Sequence, residues 1–355
     1  MPGKIKVGII GVGSIAEEHI KAYLENSDVE LYAFCDINEK RLKEMGEKYG
    51  VTRLFTKKED LLALSGIDAV SICTWNSEHA PCTIAALNAG KHVLCEKPMA
   101  MNTAEAEEMK AAAEKNGKLL MIGFVRRYGC DCKLLKEFVE KGDFGELYYS
   151  KATYLRRNGN PGGWFGDKSR SGGGPLVDLG VHVIDLVRYI GGNPKPISVY
   201  GVTYQKLFDR KGAIGKPKYV ASSSTENDIC DVEDMASALI RFDNGLTLSV
   251  EAAFCLNMKE DKGEVELFGT KAGAKISPHV EIFSDMHNYM TNISFDAPTS
   301  LSFGGLFGNE INHFVDCIKG RVSECKSPAD DGIMLMKILD AIYESASTGR
   351  DVVIG

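Results

Sequence analysis

VGIIGVGSIA, residues 7–16, decides the fold. Val7 to Ile10 closes a short apolar run of strand type, Lys4 to Ile10. Gly11-x-Gly13-x-x-Ala16 follows at once, and a helical pattern continues to about Leu24. Strand, glycine turn and helix in that order form a phosphate cradle. The glycines permit the tight turn and the approach of backbone N–H groups to a pyrophosphate, whose charge the helix N-terminus stabilises. The pattern also occurs in ordinary glycine turns, so its context matters. Asp36 closes a second strand-like run at 30–35. An acid there accepts hydrogen bonds from the adenosine ribose and repels a 2′-phosphate, which favours NAD over NADP. Arg41 nearby argues the other way, because an arginine can shield a phosphate.

The rhythm of that opening continues to about residue 125. Apolar runs at 69–73, 92–95 and 119–124 alternate with helical stretches at 38–49, 56–64, 77–90 and 104–116. Thr56 stands where a cap belongs, and Asn102 with Glu105 forms a capping-box pattern. Strands that are apolar throughout, separated by helices, indicate a parallel sheet covered on both faces. Beyond 125 the pattern changes. A helix at 132–140 leads to a strand at 147–155, a glycine-rich loop at 158–174 and a helix at 175–190. Asp243-Asn-Gly245 between runs at 236–242 and 246–253 is a hairpin signal. A second hairpin is expected at 264–276, polar loop at 208–230, and closing helices at 309–319 and 330–347. The expected fold is α/β: an N-terminal Rossmann domain at 1–125, then a C-terminal α+β domain at 126–355 with a large, mostly antiparallel open sheet. An open sheet with a free face needs cover, which predicts a homodimer or homotetramer.

Composition excludes other classes. Across 355 residues, 42 basic and 49 acidic side chains leave a net charge of −7, without the basic face a nucleic-acid partner requires. Apolar residues at 44% and charged residues at 26% fit a folded soluble chain. No run reaches the roughly 18 uncharged residues of a membrane helix. The first apolar stretch is too short and glycine-broken for a signal peptide. Ten cysteines are scattered singly except Cys130 and Cys132, whose spacing suits neither zinc nor a redox pair. No metal site is expected, and the thiols point to a reducing cytoplasm.

Chemistry concentrates in two places. Glu96-Lys97-Pro98 closes the strand-like run at 92–95, at the carboxyl edge of the sheet, where α/β ligands bind. A lysine there can stabilise a developing alkoxide. Asp178 and His182 stand four residues apart on an expected helix, behind Gly172-Gly-Gly174. That spacing puts both on one face. A histidine can take an alcohol proton near neutral pH, and a neighbouring carboxylate orients it. Asp185 shares the face. Trp164 reads equally as a platform for a sugar face or as a loop anchor.

The chain resembles the Gfo/Idh/MocA oxidoreductases. The matching segments are GVGSIA at 11–16, DAVSICTWNSEH at 68–79, AGKHVLCEKPMA at 89–100, GFVRRY at 123–128, GGGPLVDLGVHVIDL at 172–186 and SPADDG at 327–332. The resemblance implies hydride transfer between nicotinamide and a secondary alcohol of a sugar, polyol or cyclitol. By position it implies Lys97, Asp178 and His182 as the catalytic set, with the hydroxyl between Lys97 and His182. It further implies cofactor contacts from Gly11, Gly13, Ser14, Ile15, Asp36, Ile37, Arg41, Thr74, Trp75, Asn76, His79, Glu96 and Lys97. Trp75 stands where many members carry proline. Substrate contacts fall on Lys97, Arg127, Asn158, Trp164 and Asp185. Two other readings fit the same residues: an NAD-retaining glycosidase working by transient oxidation, and a sugar-sensing protein without turnover.

Overall fold

The computed structural model describes residues 3–207, 219–276, 279–296 and 305–355, so the expected loop at 208–230 lies outside it at 208–218. The chain divides into two compact units. One comprises Met1–Val125 and Gly304–Met336, the other Arg126–Phe303 and Lys337–Gly355. The segment 304–336, expected in the C-terminal domain, joins the first unit.

The first unit is built on six parallel strands: β1 (Ile5–Ile10), β2 (Val29–Cys35), β3 (Leu54–Phe55), β4 (Ala69–Ile72), β5 (His92–Glu96) and β6 (Leu120–Gly123). Their order is β3-β2-β1-β4-β5-β6. The order reverses between β1 and β4, and ligands bind at that switch point beyond the carboxyl ends of the strands. β4 and β6 are buried at every position, as strands covered on both faces must be. β3 has only two residues, too few to leave a periodic signal.

The helices are α1 (Ser14–Glu25), α2 (Glu39–Tyr49), α3 (Lys58–Leu62), α4 (His79–Asn88) and α5 (Thr103–Asn116). Asn102 caps α5 by accepting the Glu105 N–H at 3.0 Å, and its amide reaches back to the Glu105 carboxylate at 3.3 Å. α3 starts behind Lys57 rather than Thr56, and α4 starts at His79 after a 3₁₀ turn over Asn76–Glu78. From 304–336 come α9 (Leu306–Ile318) and the start of α10 (Ala329–Thr348). α9 packs on α1, and Ile122 donates to the Ser327 carbonyl at 2.9 Å.

The second unit holds β7 (Leu147–Leu155), β8 (Pro196–Tyr204), β9 (Met235–Phe242), β10 (Thr247–Ala253), β11 (Lys262–Gly269), β12 (Ala272–Ile276), β13 (Val280–Met286), β14 (Tyr289–Ser294) and β15 (Val352–Val353). They form one nine-stranded sheet, β14-β13-β12-β11-β7-β10-β9-β8-β15. Only β7 and β10 pair in parallel. The β9–β10 turn places Gly245 at φ 88°, a conformation glycine adopts without steric cost. Alternation along β9, buried then open, marks a sheet with one covered face, and α8 (Val181–Ile190) packs on β7, β10 and β11. α6 (Cys130–Glu140) and α7 (Lys168–Ser171) complete the unit. All ten cysteines are free thiols.

The helix expected at 175–190 is not uniform. Leu176–Gly180 is a π-helical turn that passes into α8 at Val181. A π turn takes more residues than an α turn. The α-helical period expected to align Asp178 with His182 therefore does not hold at the first of the two.

Candidate active site

The glycine turn is sterically obligatory. Gly11 sits at φ 84°, and a Cβ there would meet the Cys73 carbonyl oxygen at 2.6 Å and the Thr74 nitrogen at 2.8 Å. β1 and β4 approach so closely at the switch point that only a hydrogen fits. Gly11→Ala is therefore expected to cost more than about 2 kcal/mol, through clash and unfavourable φ together. Equilibrium unfolding of the variant measures this; an unchanged midpoint would disprove it.

Gly13 differs. A Cβ there would meet nothing within 4 Å, and Gly13 is the N-cap of α1 without a side-chain cap. The first N–H groups of α1, at Ser14 and Ile15, follow directly after it. Uncapped N–H groups at the positive end of a helix suit a pyrophosphate.

The Asp36 carboxylate braces the same turn. One oxygen accepts the Val12 N–H and the other the Asn38 N–H, each at 2.8 Å. A carboxylate oxygen accepts more than one hydrogen bond, so both keep capacity for ribose hydroxyls. Ile37 beside it is 72% exposed, an aliphatic surface next to the acid. Arg41 is committed elsewhere. Its Nε donates to the Val12 carbonyl at 3.0 Å and its Nη2 to Glu17 at 2.7 Å. Lys48, Arg41 and Tyr49 hold the Glu17 carboxyl down at about 2.

At the end of β4, Thr74 Oγ1 is buried without a hydrogen-bond partner. Orphaned donors of that kind need an explanation, and a bound cofactor supplies one. Trp75 is half-buried and Asn76 buried. His79 is buried; its Nδ1 donates to the Pro98 carbonyl at 2.7 Å, and its Nε2 stands 3.3 Å from the Thr74 carbonyl. Burial keeps its pKa below the ordinary value. His79 thus ties the β4 and β5 ends together. The open space at Gly13, the braced Asp36 and the orphaned Thr74 fit a dinucleotide.

Lys97 is half-buried and precedes Pro98 through a cis peptide bond. Its backbone N–H donates to the Glu96 carboxylate at 3.1 Å. Glu96, expected among the cofactor contacts, is buried. Its other oxygen accepts from His19 Nε2 at 2.8 Å.

In the second unit, Asp178 and His182 are the only residues of 173–190 that are not buried. The loop before them is fixed from below. Glu233, buried, accepts the N–H groups of Gly174 at 2.9 Å and Leu176 at 3.2 Å, and the Tyr343 hydroxyl at 2.9 Å. A Cβ at Gly173 or Gly174 would collide with Tyr343 or with the Glu233 carbonyl. Burial pushes the Glu233 carboxyl up. Glu233 lies in an acidic stretch, Asp231-Val-Glu-Asp234, and neither it nor Tyr343 carries a local signal for this role.

Arg127 and Asp185, expected on substrate, form a buried two-point ion pair. Arg127 Nε donates at 2.9 Å and Nη2 at 2.6 Å to the two oxygens of Asp185. Both side chains are essentially inaccessible, and the guanidinium lies 4.5 Å from the Tyr189 ring centre. Asn158 forms a lone bridge with Cys255, whose thiol lies 3.8 Å from the Asn158 side-chain oxygen. Trp164 is half-buried and stacks on Phe165 at 4.0 Å between ring centres.

Residues 5–124 match the family described as "Oxidoreductase family, NAD-binding Rossmann fold", and residues 132–275 match the "GFO/IDH/MocA C-terminal domain". D-glucoside 3-dehydrogenase of Escherichia coli K12 is 34% identical over 353 residues, covering 98% of this chain and 97% of that protein. Myo-inositol 2-dehydrogenase of Thermotoga maritima is 35% identical over 188 residues, 53% of this chain and 55% of that protein. Among solved structures, the aldose-aldose oxidoreductase of Caulobacter crescentus, complexed with glycerol, superposes with a TM-score of 0.81 at 26% identity, covering 99% of each chain. The chain belongs to the Gfo/Idh/MocA family of oxidoreductases.

Proposed function

We propose that this chain is an NAD-dependent dehydrogenase of a secondary ring hydroxyl on a glucoside or cyclitol. The supporting observation is the selective exposure of Asp178 and His182 in an otherwise buried segment, an arrangement with little use except to meet a ligand. Bound nicotinamide accepts the hydride. Lys97 stabilises the alkoxide that develops on the substrate oxygen. His182 takes the hydroxyl proton, with Asp178 orienting the ring. Gly13 and the α1 N-terminus hold the pyrophosphate, and Asp36 the ribose. The glucoside class rests on likeness to the Escherichia coli enzyme over nearly the whole chain.

NAD is the proposed cofactor rather than NADP. The Asp36 charge opposes a 2′-phosphate, and Arg41, the residue able to offset it, is engaged with Val12 and Glu17. We expect kcat/KM for NAD to exceed that for NADP by roughly a hundredfold, the scale of hydrogen bonds to a charged group. Asp36→Ala should close most of that gap. Equal use of the two cofactors by the unaltered enzyme would refute the preference.

The proposed assembly is a homodimer or homotetramer through the open face of the nine-stranded sheet. Tyr200 and Leu239 are paired and exposed there, and Tyr149 stacks on Phe268. The proposed location is the cytoplasm, in keeping with ten free thiols. No helix among the described residues is long and apolar enough to cross a membrane.

The deciding experiment incubates the protein with NAD and a panel of glucosides, cyclitols and free aldoses. NADH formation on a glucoside or cyclitol is the expected result. Aglycone release without accumulating NADH would replace this reading with transient oxidation. Binding without turnover on any member would replace it with sugar sensing.

A further inference from the structure

Behind the carboxyl end of β5 lies a polar cluster in an apolar core. His19 of α1, Ser71 of β4, Glu96 of β5 and Glu310 of α9 are each 6% exposed or less. His19 Nε2 donates to Glu96 at 2.8 Å, its Nδ1 faces the Ser71 hydroxyl at 3.3 Å, and Tyr23 reaches the same hydroxyl at 2.7 Å. Both ring nitrogens are therefore engaged, which leaves neither for a cation. Glu310 is the exception. Both its carboxyl oxygens are buried without a hydrogen-bond partner. An oxygen of each glutamate and a nitrogen of His19 nonetheless lie within 4.8 Å of one another.

Two carboxylates at that range in a dry core do not both ionise. Glu96 has the better claim to the charge. Burial raises its carboxyl, but the His19 hydrogen bond, His19 and Lys97 overcome this and leave it below its ordinary value. Glu310 has no such support. Burial and then the Glu96 charge push it well above the ordinary range. The titratable groups facing it are His19 and Tyr23 from α1, Cys73 after β4, and Glu96 at the end of β5.

We propose that Glu310 is a positioning residue for Lys97: it packs behind Glu96 and keeps that carboxylate on the Lys97 backbone N–H. This rests on the reading of Lys97 as the alkoxide-stabilising residue. A proton on Glu310 is attracted by the Glu96 charge. A charge on Glu310 repels Glu96, and the 3.1 Å contact that fixes the Lys97 backbone is what yields. Glu310 thereby makes the placement of Lys97 depend on a proton held out of solvent.

The test uses the full chain with Glu310→Ala and Glu310→Gln. Glu310→Ala should lower kcat by about tenfold to a hundredfold with little change in KM, as a misplaced catalytic group does. Glu310→Gln, which keeps shape and neutrality, should restore kcat. It should also move the alkaline fall of kcat to higher pH, because the variant has no acid left to ionise. Gln as damaging as Ala, or superimposable pH profiles, would overturn the proposal.

A second readout needs no turnover. A carboxyl whose folded pKa lies above its unfolded value of 4.5 favours the folded state at low pH, and that stability is lost as pH rises from there to the folded pKa. The melting temperature of Glu310→Gln relative to the parent should therefore climb with pH above 4.5. A difference that falls with pH would mean an ionised, paired Glu310 and would end the proposal. Should Lys97 substitutions leave turnover intact, the role of Lys97 fails, while the melting series still decides the protonation of Glu310.

Discussion

Lys97→Ala is expected to reduce kcat by about 10²–10³, the usual loss when one group that meets a developing oxyanion is removed. NADH binding, followed by fluorescence, should change little. The main chain at Lys97 is held from two sides: its own N–H is on Glu96, and the next residue's carbonyl is on His79. Truncating the side chain leaves those contacts intact, so fold and cofactor cradle should survive. Lys97→Arg should recover little of the loss. A guanidinium is planar and broad, and it does not deliver a compact point charge to one oxygen. Steady-state kinetics on the best substrate of the panel is the measurement. Turnover within twofold of the parent would remove Lys97 from the mechanism.

How far a sequence discloses such a site depends on how local the signal is. The glycine turn, Asp36 and Glu96-Lys97-Pro98 are adjacent in sequence to the strands that carry them, so the apolar runs located them correctly. The two-residue β3 and the π turn over Leu176–Gly180 were not legible. The first is too short for periodicity, and the second is a change of period that hydrophobic patterning cannot resolve. The return of 304–336 to the first unit is a long-range packing choice with no local mark. Arg127 and Asp185 entered as substrate contacts through the family resemblance, and their two-point pairing in the core is a long-range contact with no local mark. Glu310 and His19 did leave a trace. Each interrupts the buried stripe of its helix: Ala16, His19, Ile20 and Tyr23 on α1, and Leu306, Glu310, Ile311 and Phe314 on α9. A polar residue at a core position of an amphipathic helix needs a buried partner, and in this chain the two stripes meet at the same carboxylate pair.

Arg127→Ala should destabilise the fold by about 3–5 kcal/mol, more than Gly11→Ala, because it strands Asp185 as an uncompensated charge in the core. Asp185→Leu should be comparably severe, since it strands the guanidinium. The two together, as Arg127→Met with Asp185→Leu, should recover a large part of the loss, because the desolvation cost of both ions disappears with them. Urea unfolding of the three variants gives the coupling directly. The outcome bears on function as well. If the pair instead serves the substrate, Asp185→Asn should raise KM while leaving the unfolding midpoint near that of the parent. The fork predicts the reverse: a lowered midpoint, and KM altered only as far as the fold yields. Arg127 sits just before α6 and Asp185 within α8, so the ion pair ties the start of the second unit to the helix that carries His182. Loss of the pair should therefore loosen the base indirectly, lowering kcat in proportion to the unfolding energy rather than shifting its pH dependence.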